Sequence, residues 1–265
     1  MIRYALAQLA SLLLTLALVL SLVFVAVRLL PGDAASLRAG LETSSAQVAA
    51  IRRALGLERP LHAQYLSYWR GLLRGDLGVS LREGRAVTRI LAERLPVTLL
   101  LALLAFALSL LLGVGLGLLS GLWPGSAFDR GVLGFTTLGL TLPEFWLAFV
   151  LILLFSVELG WLPLIGFPQA GPLGLKLVHL LLPAVTLALP RAAQLARLSR
   201  AHLLEERHAD YLRTARAKGL RLAQQHRHLA ANALPGLLPL LALELGGLLT
   251  GTIIVEQVFG LPGLG

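Results

Sequence analysis

Two long stretches of this sequence contain no charged side chain, and they limit the possible folds more than any other feature. The first runs from Tyr4 to Val27 and the second from Leu95 to Phe128. About 20 consecutive apolar residues are enough for a helix to cross the hydrocarbon core of a bilayer. Only 14% of the 265 residues are charged, whereas a soluble domain carries about 25%. The sequence therefore predicts an all-α, polytopic membrane helix bundle.

A cleaved signal peptide is the alternative for the first stretch. The apolar part of a signal peptide is about 7–15 residues long. The stretch before Arg28 is longer, and no convincing small-residue cleavage site precedes the sequence RLLPGD. We therefore interpret it as the first membrane span. The chain has no cysteine, which excludes disulfides and thiolate metal sites.

The distribution of apolar and polar residues divides the chain into three parts. Residues 1–30 form an N-terminal transmembrane helix, residues 31–95 a segment of short amphipathic helices outside the membrane, and residues 96–265 the core. The core is expected to contain four spans, at about 97–120, 131–157, 177–197 and 235–258, and a polar loop at 200–230. Five spans are thus predicted in all.

The 31–95 segment is expected to contain three short helices. One begins near Ser45, one follows Pro60, and a third covers about 86–94 and ends before Pro96. We interpret the aromatic side chains of the second helix, Tyr65, Tyr68 and Trp69, as packing residues rather than ligand contacts.

The net charge of +9 is concentrated in one polar region. Residues 191–228 carry nine of the 23 Lys and Arg residues and three acids. The positive-inside rule puts this short region in the cytoplasm, which also puts the N-terminus inside and the 31–95 segment outside. Nucleic acid is not favoured as a partner, because no interleaved aromatic residues or DNA-binding motif accompany the charge.

Residues 210–220, DYLRTARAKGL, are here called the basic segment. On a helix, Tyr211, Ala215 and Gly219 share one face, with Leu212 beside it. Gly219 suits the left-handed residue that follows a helix, so a second helix would leave at an angle. This pattern indicates a helical knuckle presented to a cytoplasmic partner. A solvated basic loop that only sets the topology is the alternative, and the residues alone leave both open.

The basic segment, followed by NALPGLLPLLALELGGLLTGTIIVEQVFGLPGLG, resembles the permease subunits of bacterial binding-protein-dependent ABC importers. The likeness is to the dipeptide, oligopeptide and nickel branch and extends over the whole chain. The other stretches that resemble the family are LPGDAA, LGLERPLHAQYLSYWRGLLRGDLGVSL, ILAERLPVTLLLALLAFALSL and LTLPEFWLAFVLILLFSVELGWLP. The resemblance implies a type I importer permease with six spans, of which the last lies beyond the PGLG motif and is missing here.

The resemblance also implies a role for the basic segment as the coupling helix, or EAA loop, which seats in a cleft of the ATPase subunit. The family pattern is Glu-Ala-Ala, three residues, then Gly. The matching residues are Arg213, Thr214, Ala215 and Gly219, with Arg in place of Glu. The coupling helix as a whole is expected to use Tyr211, Leu212, Arg213, Thr214, Ala215, Lys218 and Gly219.

The implied partners are a homologous sister permease, two ATPase subunits, an extracytoplasmic substrate-binding protein and the bacterial inner membrane. This chain is expected to bind no cofactor, because no G-x-x-x-x-G-K-[ST] motif is present and ATP and Mg²⁺ belong to the ATPase. The implied substrates are di- and oligopeptides, including glutathione. Nickel or another small solute is the alternative within the family.

Two carboxylates lie well inside predicted spans. Glu144 and Glu244 could face the translocation path and attract a peptide ammonium group, or could form an interhelical hydrogen bond.

No catalytic residue is expected, since no H-E-x-x-H or G-x-S-x-G motif occurs. The six histidines have no zinc-binding spacing, so no metal site is expected. A passive channel or a membrane-embedded enzyme would not require the knuckle. The VFGLPGLG loop at 258–265 is expected outside, near the binding protein, or is a plain turn.

Overall fold

Helices make up about four fifths of the residues that the structure describes. The computed structural model describes residues 2–29, 58–80, 83–168 and 170–265. Within those ranges the only strand-like pairing is an isolated antiparallel bridge between Val79 and Ala86. The helices are α1 (Ile2–Leu29), α2 (Leu61–Leu73), α3 (Val87–Leu122), α4 (Ala127–Thr141), α5 (Glu144–Ile152), α6 (Leu173–Glu206), α7 (Asp210–Ala217), α8 (Leu222–Ala233) and α9 (Leu238–Val258). The predicted all-α class is confirmed.

Helix length and apolar composition identify the membrane spans. Among the described residues, α1, α3, α6 and the α8–α9 stretch are each long and apolar enough to cross a membrane. The α4–α5 pair is a fifth candidate if its two bent halves are counted as one span. The chain is therefore a multi-pass membrane protein. It divides into two units, Met1–Glu93 and Arg94–Gly265.

The third predicted span is not one straight helix. The sequence predicts a helix over 131–157, but α4 and α5 are bent by 108°. Leu142 between them is extended, with φ −78° and ψ 129°. The cause is Pro143, which disfavours helical geometry in the preceding residue and has no N–H to donate. A π-helical turn, Leu153–Glu158, continues α5.

Three other prolines interrupt their helices less than the sequence suggests. The expected helix at 86–94 does not end before Pro96, because α3 continues through it to Leu122. Likewise, α6 contains Pro183 and Pro190 and extends to Glu206, nine residues past the predicted end at 197. Proline is tolerated in membrane helices because neighbouring groups satisfy the freed carbonyls. The longer α6 carries Arg191, Arg200 and Glu206, whose contacts are described below.

In the first unit, α1 and α2 pack through aromatic rings. The Phe24 ring lies 5.4 Å from the rings of both Tyr65 and Tyr68. The hydroxyls of Ser21 and Tyr65 are 2.7 Å apart. These contacts agree with the expected packing role of the α2 aromatics, and Pro60 precedes α2 as anticipated. The helix expected near Ser45 falls outside the described residues.

In the second unit, α3 and α6 approach closely through glycine. Gly113, Gly117 and Gly121 recur every fourth residue and turn toward α6. A methyl group at Gly113 would lie 2.6 Å from Leu195 Cβ, and one at Gly121 would lie 2.7 Å from Leu203 Cδ2. Small residues at such spacing allow close helix packing in membranes. They fix α6 against α3, which sets the position of the side chains that α6 carries.

Candidate functional site

The basic segment forms the knuckle that its sequence predicts. The short helix α7 ends at Gly219, whose φ of +69° is the left-handed conformation expected there. The Gly219 N–H donates to the Arg216 carbonyl at 2.9 Å, and the Leu220 N–H donates to the Ala215 carbonyl at 3.1 Å. This is the Schellman pattern that closes a helix. The chain then turns sharply into α8, whose first turn is closed by the Gln224 side chain accepting from the Arg221 N–H at 3.1 Å.

One face of α7 is turned toward the chain itself. Leu212 is 3% exposed, and Ala215 is also buried. Leu212 belongs to an apolar cluster with Leu203, Leu229 and Ala233, against which Leu118 and Leu122 pack. The sequence analysis assigned the face of Tyr211, Ala215 and Leu212 to a partner, and the structure corrects this. An amphipathic helix attached to a larger body buries its apolar side in that body, which is where these residues lie.

Tyr211 sits at the edge of this buried face. Its hydroxyl donates to the Glu206 carboxylate at 2.9 Å. Burial raises the pKa of the Tyr211 hydroxyl, so the phenol keeps its proton at neutral pH. This hydrogen bond ties the start of α7 to the end of α6.

The opposite face of α7 carries the charge. Arg213, Thr214, Arg216 and Lys218 are exposed. The Arg213 side chain is 81% exposed, and its ion pair with Asp210 is long, at 3.5 Å. Such a surface pair contributes little to stability. The outer face of α7 is thus a solvated cationic surface, while its inner face is packed against the rest of the chain.

A second charged group, which the sequence analysis missed, holds the end of α6. Asp129 is 2% exposed and receives two hydrogen bonds from Arg200, at 2.6 and 2.9 Å. It also accepts from the Ser120 hydroxyl and, at 2.8 Å, from the Gly125 N–H. We call these four residues the Asp129 clamp. The Ser126-x-x-Asp129 spacing, a capping pattern, was the one local signal for it.

The clamp continues toward the basic segment. The Arg207 guanidinium donates to the Leu122 carbonyl at the end of α3, at 2.7 Å. Arg200 and Arg207 therefore fasten the last two turns of α6 to the α3–α4 turn. A displacement of α7 would be transmitted to α3 and α4 through these bonds as well as through α6.

The two intramembrane carboxylates are brought together by a residue that was not proposed as a site. Arg191 in α6 lies between Glu144, at the start of α5, and Glu244 in α9. Its Nη2 is 3.7 Å from Glu144 Oε1, and its Nη1 is 3.5 Å from Glu244 Oε2. We call these three residues the Arg191 triad. Of the two sequence interpretations, a partnered carboxylate describes this arrangement, with a guanidinium as the partner.

A third buried carboxylate fixes the loop after α9. Glu256 is 1% exposed and accepts from the Thr98 hydroxyl and from the Gly265 N–H, both at 2.6 Å. Thr98 in turn accepts from the Leu264 N–H at 2.9 Å. A side chain at Gly263 would overlap the Glu256 carboxyl group. The VFGLPGLG loop is therefore wrapped around a buried carboxyl group, which the sequence analysis did not identify.

No metal centre is found in the part of the chain that the structure describes. There, no three His, Cys, Asp or Glu side chains are grouped in a way that would hold a metal ion. The site is thus made of helices, ion pairs and an exposed basic face.

Comparison with known proteins places these features in a family. The description "binding-protein-dependent transport system inner membrane component" matches residues 113–265, and the N-terminal domain of such membrane components matches residues 1–102. The glutathione transport system permease protein GsiC of Pectobacterium atrosepticum is 39% identical over 100% of this chain and 85% of its own length. GsiC of Salmonella typhi is 37% identical with the same coverage. A putative peptide transport system permease protein of Brucella abortus is 42% identical over 92% of this chain and 78% of its own length.

Proposed function

Because the chain belongs to the family of binding-protein-dependent transport system inner membrane components, we propose that it is the permease subunit of an ATP-driven peptide importer in a bacterial inner membrane. Its substrates are di- and oligopeptides, glutathione among them. The observation that carries this proposal is similarity along the whole chain to permeases named for glutathione and peptide transport. The nickel alternative has no comparable support among these relatives.

The permease works in a complex. A homologous sister permease forms the other half of the translocation path, two ATPase subunits bind and hydrolyse ATP with Mg²⁺, and an extracytoplasmic protein delivers the peptide. The basic region, and with it the N-terminus, faces the cytoplasm, in keeping with the positive-inside rule. This chain supplies the path and the coupling element rather than bond chemistry.

The outer face of α7 is the docking surface for the ATPase. Three observations support this role: the exposed cations Arg213, Arg216 and Lys218, the Schellman turn at Gly219, and the buried inner face. Because the inner face of α7 is packed against the end of α6, the two helices move as one body. Closure of the ATPase dimer on nucleotide binding would then tilt α6 and open or close the path.

Charge reversal on the outer face of α7 tests this proposal. The double variant Arg213→Glu, Arg216→Glu leaves the buried contacts of α7 intact. The matched control is Arg70→Glu, Arg74→Glu on the exposed side of α2, which makes the same change of charge elsewhere. Each tagged permease is co-expressed with its sister permease and ATPase subunits and purified in mild detergent.

We expect the α7 variant to retain the sister permease but to lose most of the ATPase, together with peptide uptake in cells. The α2 control should retain the ATPase. Equal recovery of the ATPase by both variants would refute docking through this face. Absence of peptide uptake by the unaltered complex would refute the peptide-importer assignment itself.

A further inference from the structure

The Arg191 triad joins three helices at a place where charge is costly. Glu144 begins α5 just after the 108° bend, Arg191 lies within α6, and Glu244 lies within α9. Charged side chains within membrane spans almost always face the bundle interior or a water-filled cavity and serve substrate or ion pathways. The triad therefore calls for an explanation beyond packing.

The charges of the triad do not balance. Two carboxylates share one guanidinium, which leaves one negative charge in excess. The separations of 3.5 and 3.7 Å are also longer than the roughly 2.7–2.9 Å of a good charge-assisted hydrogen bond. In the described part of the chain, the buried Arg191 Nε and Glu244 Oε2 atoms have no hydrogen-bond partner. Glu244 Oε2 can therefore accept a hydrogen bond from a cationic donor group, whereas Arg191 Nε is itself a donor.

The helix α9 leaves space beside the guanidinium. A methyl group added at Gly247 would lie 3.0 Å from Arg191 Nη1, and one at Gly251 would lie 3.7 Å from Glu144 Oε2. The two glycines are one turn apart, so bare backbone of α9 faces the triad. A methyl group at Gly247 would therefore force the guanidinium to shift by a few tenths of an ångström.

The triad is accessible from one side. The side chains of Arg191 and Glu144 are 23% and 24% exposed, whereas that of Glu244 is 6% exposed. Facing these charges toward lipid would be strongly unfavourable. The open side therefore faces water in the translocation path or a protein surface that the described residues do not include.

We propose that the Arg191 triad is a binding site for the primary ammonium group at the N-terminus of the transported peptide. The inference rests on the proposed function. Glu144, at the open side, meets the ammonium group first. Glu244 Oε2, which has no hydrogen bond in the described part of the chain but lies 3.5 Å from Arg191 Nη1, accepts it deeper in the site. Arg191 holds the two carboxyl groups apart, and the ammonium group supplies a positive charge between them and a donor for Glu244 Oε2.

The test compares two substrates across permease variants. The complete transporter, with its binding protein, is reconstituted in proteoliposomes, and uptake of trialanine and of N-acetylated trialanine is measured per ATP hydrolysed. The variants are Glu144→Gln and the double variant Glu144→Gln, Glu244→Gln. The preference of the binding protein is common to all permeases, so it cancels when the ratio of the two uptakes is compared between them.

We expect the double variant to lower uptake of free trialanine by about tenfold, the loss of one hydrogen bond to a charged group, and to lower the ratio with it. Glu144→Gln alone, which keeps the buried Glu244–Arg191 pair, should lower the ratio by a smaller factor. Gly247→Ala should act in the same direction, whereas Gly246→Ala, where an added methyl meets nothing within 4 Å, should not.

The two hypotheses fail in different ways. If the unaltered transporter takes up no trialanine or other free peptide, the proposed function fails. If it does, and the Gln variants take up free trialanine as well as the unaltered permease, the ammonium site is refuted. Equal losses for both substrates would also refute it, in favour of a purely structural triad that closes the α5–α6–α9 interface.

Discussion

The Asp129 clamp and the Arg191 triad each pair carboxyl groups with an arginine of α6. The two arginines, Arg191 and Arg200, are about 13 Å apart along the helix axis, since an α-helix rises 1.5 Å per residue. In the clamp, one carboxylate receives two hydrogen bonds from one guanidinium, at 2.6 and 2.9 Å, and two more from neighbouring donors. In the triad, two carboxylates stand 3.5 and 3.7 Å from one guanidinium. The first group is balanced and saturated, and the second is neither.

This difference in hydrogen bonding separates a group that stiffens the chain, the Asp129 clamp, from a group that is open to a ligand, the Arg191 triad. A buried ion pair persists only with good geometry and enough hydrogen bonds to offset desolvation. The clamp meets this condition next to the basic segment, where force from a partner would enter. The triad falls short of it within the membrane, where a substrate would pass. Replacing acids by amides of nearly the same shape tests the contrast.

The largest effect is expected for Asp129→Asn. The change leaves Arg200 partly buried without its counter-charge, which costs about 3 kcal/mol. Thermal unfolding in detergent, followed by size-exclusion chromatography, should show a strong loss of the monodisperse protein. Asp210→Asn is the control, because that side chain is 94% exposed and should change stability little. Equal stability of the two variants would remove the distinction between clamp and triad.

An intermediate effect is expected for Glu256→Gln, at a buried carboxyl group that accepts two hydrogen bonds where Asp129 accepts four. One side-chain oxygen becomes an NH₂ group that faces the Gly265 N–H, so a charge-assisted hydrogen bond of about 2 kcal/mol is lost. Hydrogen exchange of residues 259–265 should become faster while that of α6 stays unchanged. Gln257→Ala, at the exposed neighbouring residue, serves as the control. Unchanged protection of the loop would mean that Glu256 does not hold it.

The smallest effect on stability is expected for Glu144→Gln. The remaining Arg191–Glu244 pair is balanced in charge, so the free energy of unfolding should change by only about 0.5 kcal/mol. The same detergent unfolding assay measures it beside Asp129→Asn. A destabilisation as large as that of Asp129→Asn would make the triad a second structural clamp and would weaken its assignment as a substrate site.

Local sequence patterns predicted what depends on local structure. Charge-free runs indicated the spans, and the position of Gly219 after an amphipathic turn indicated the Schellman end of α7. The basic segment was assigned correctly as a helix, but its inner face was given to a partner, since periodicity identifies an apolar face without saying what covers it.

Pairings between distant residues were not predictable in this way. Arg200 and Asp129 are 71 positions apart, and Thr98 and Glu256 are 158 apart. Nothing in a helical repeat specifies such partners. Charge inside a span is costly, which drew attention to Glu144 and Glu244. Arg191, although it falls within the predicted span 177–197, was counted with the basic region 191–228. The extension of α6 to Glu206 placed it inside the bundle instead.

Site-directed cross-linking decides whether α7 receives the ATPase. The chain has no cysteine of its own, so Arg213→Cys and Arg70→Cys each introduce a single thiol, on the outer face of α7 and on α2. Each is labelled with a benzophenone maleimide in membranes that contain the co-expressed ATPase and sister permease. We expect the ATPase to be captured from position 213 and not from position 70. Capture from position 70, or from neither position in an assembled complex, would contradict the assignment of α7 as the coupling helix.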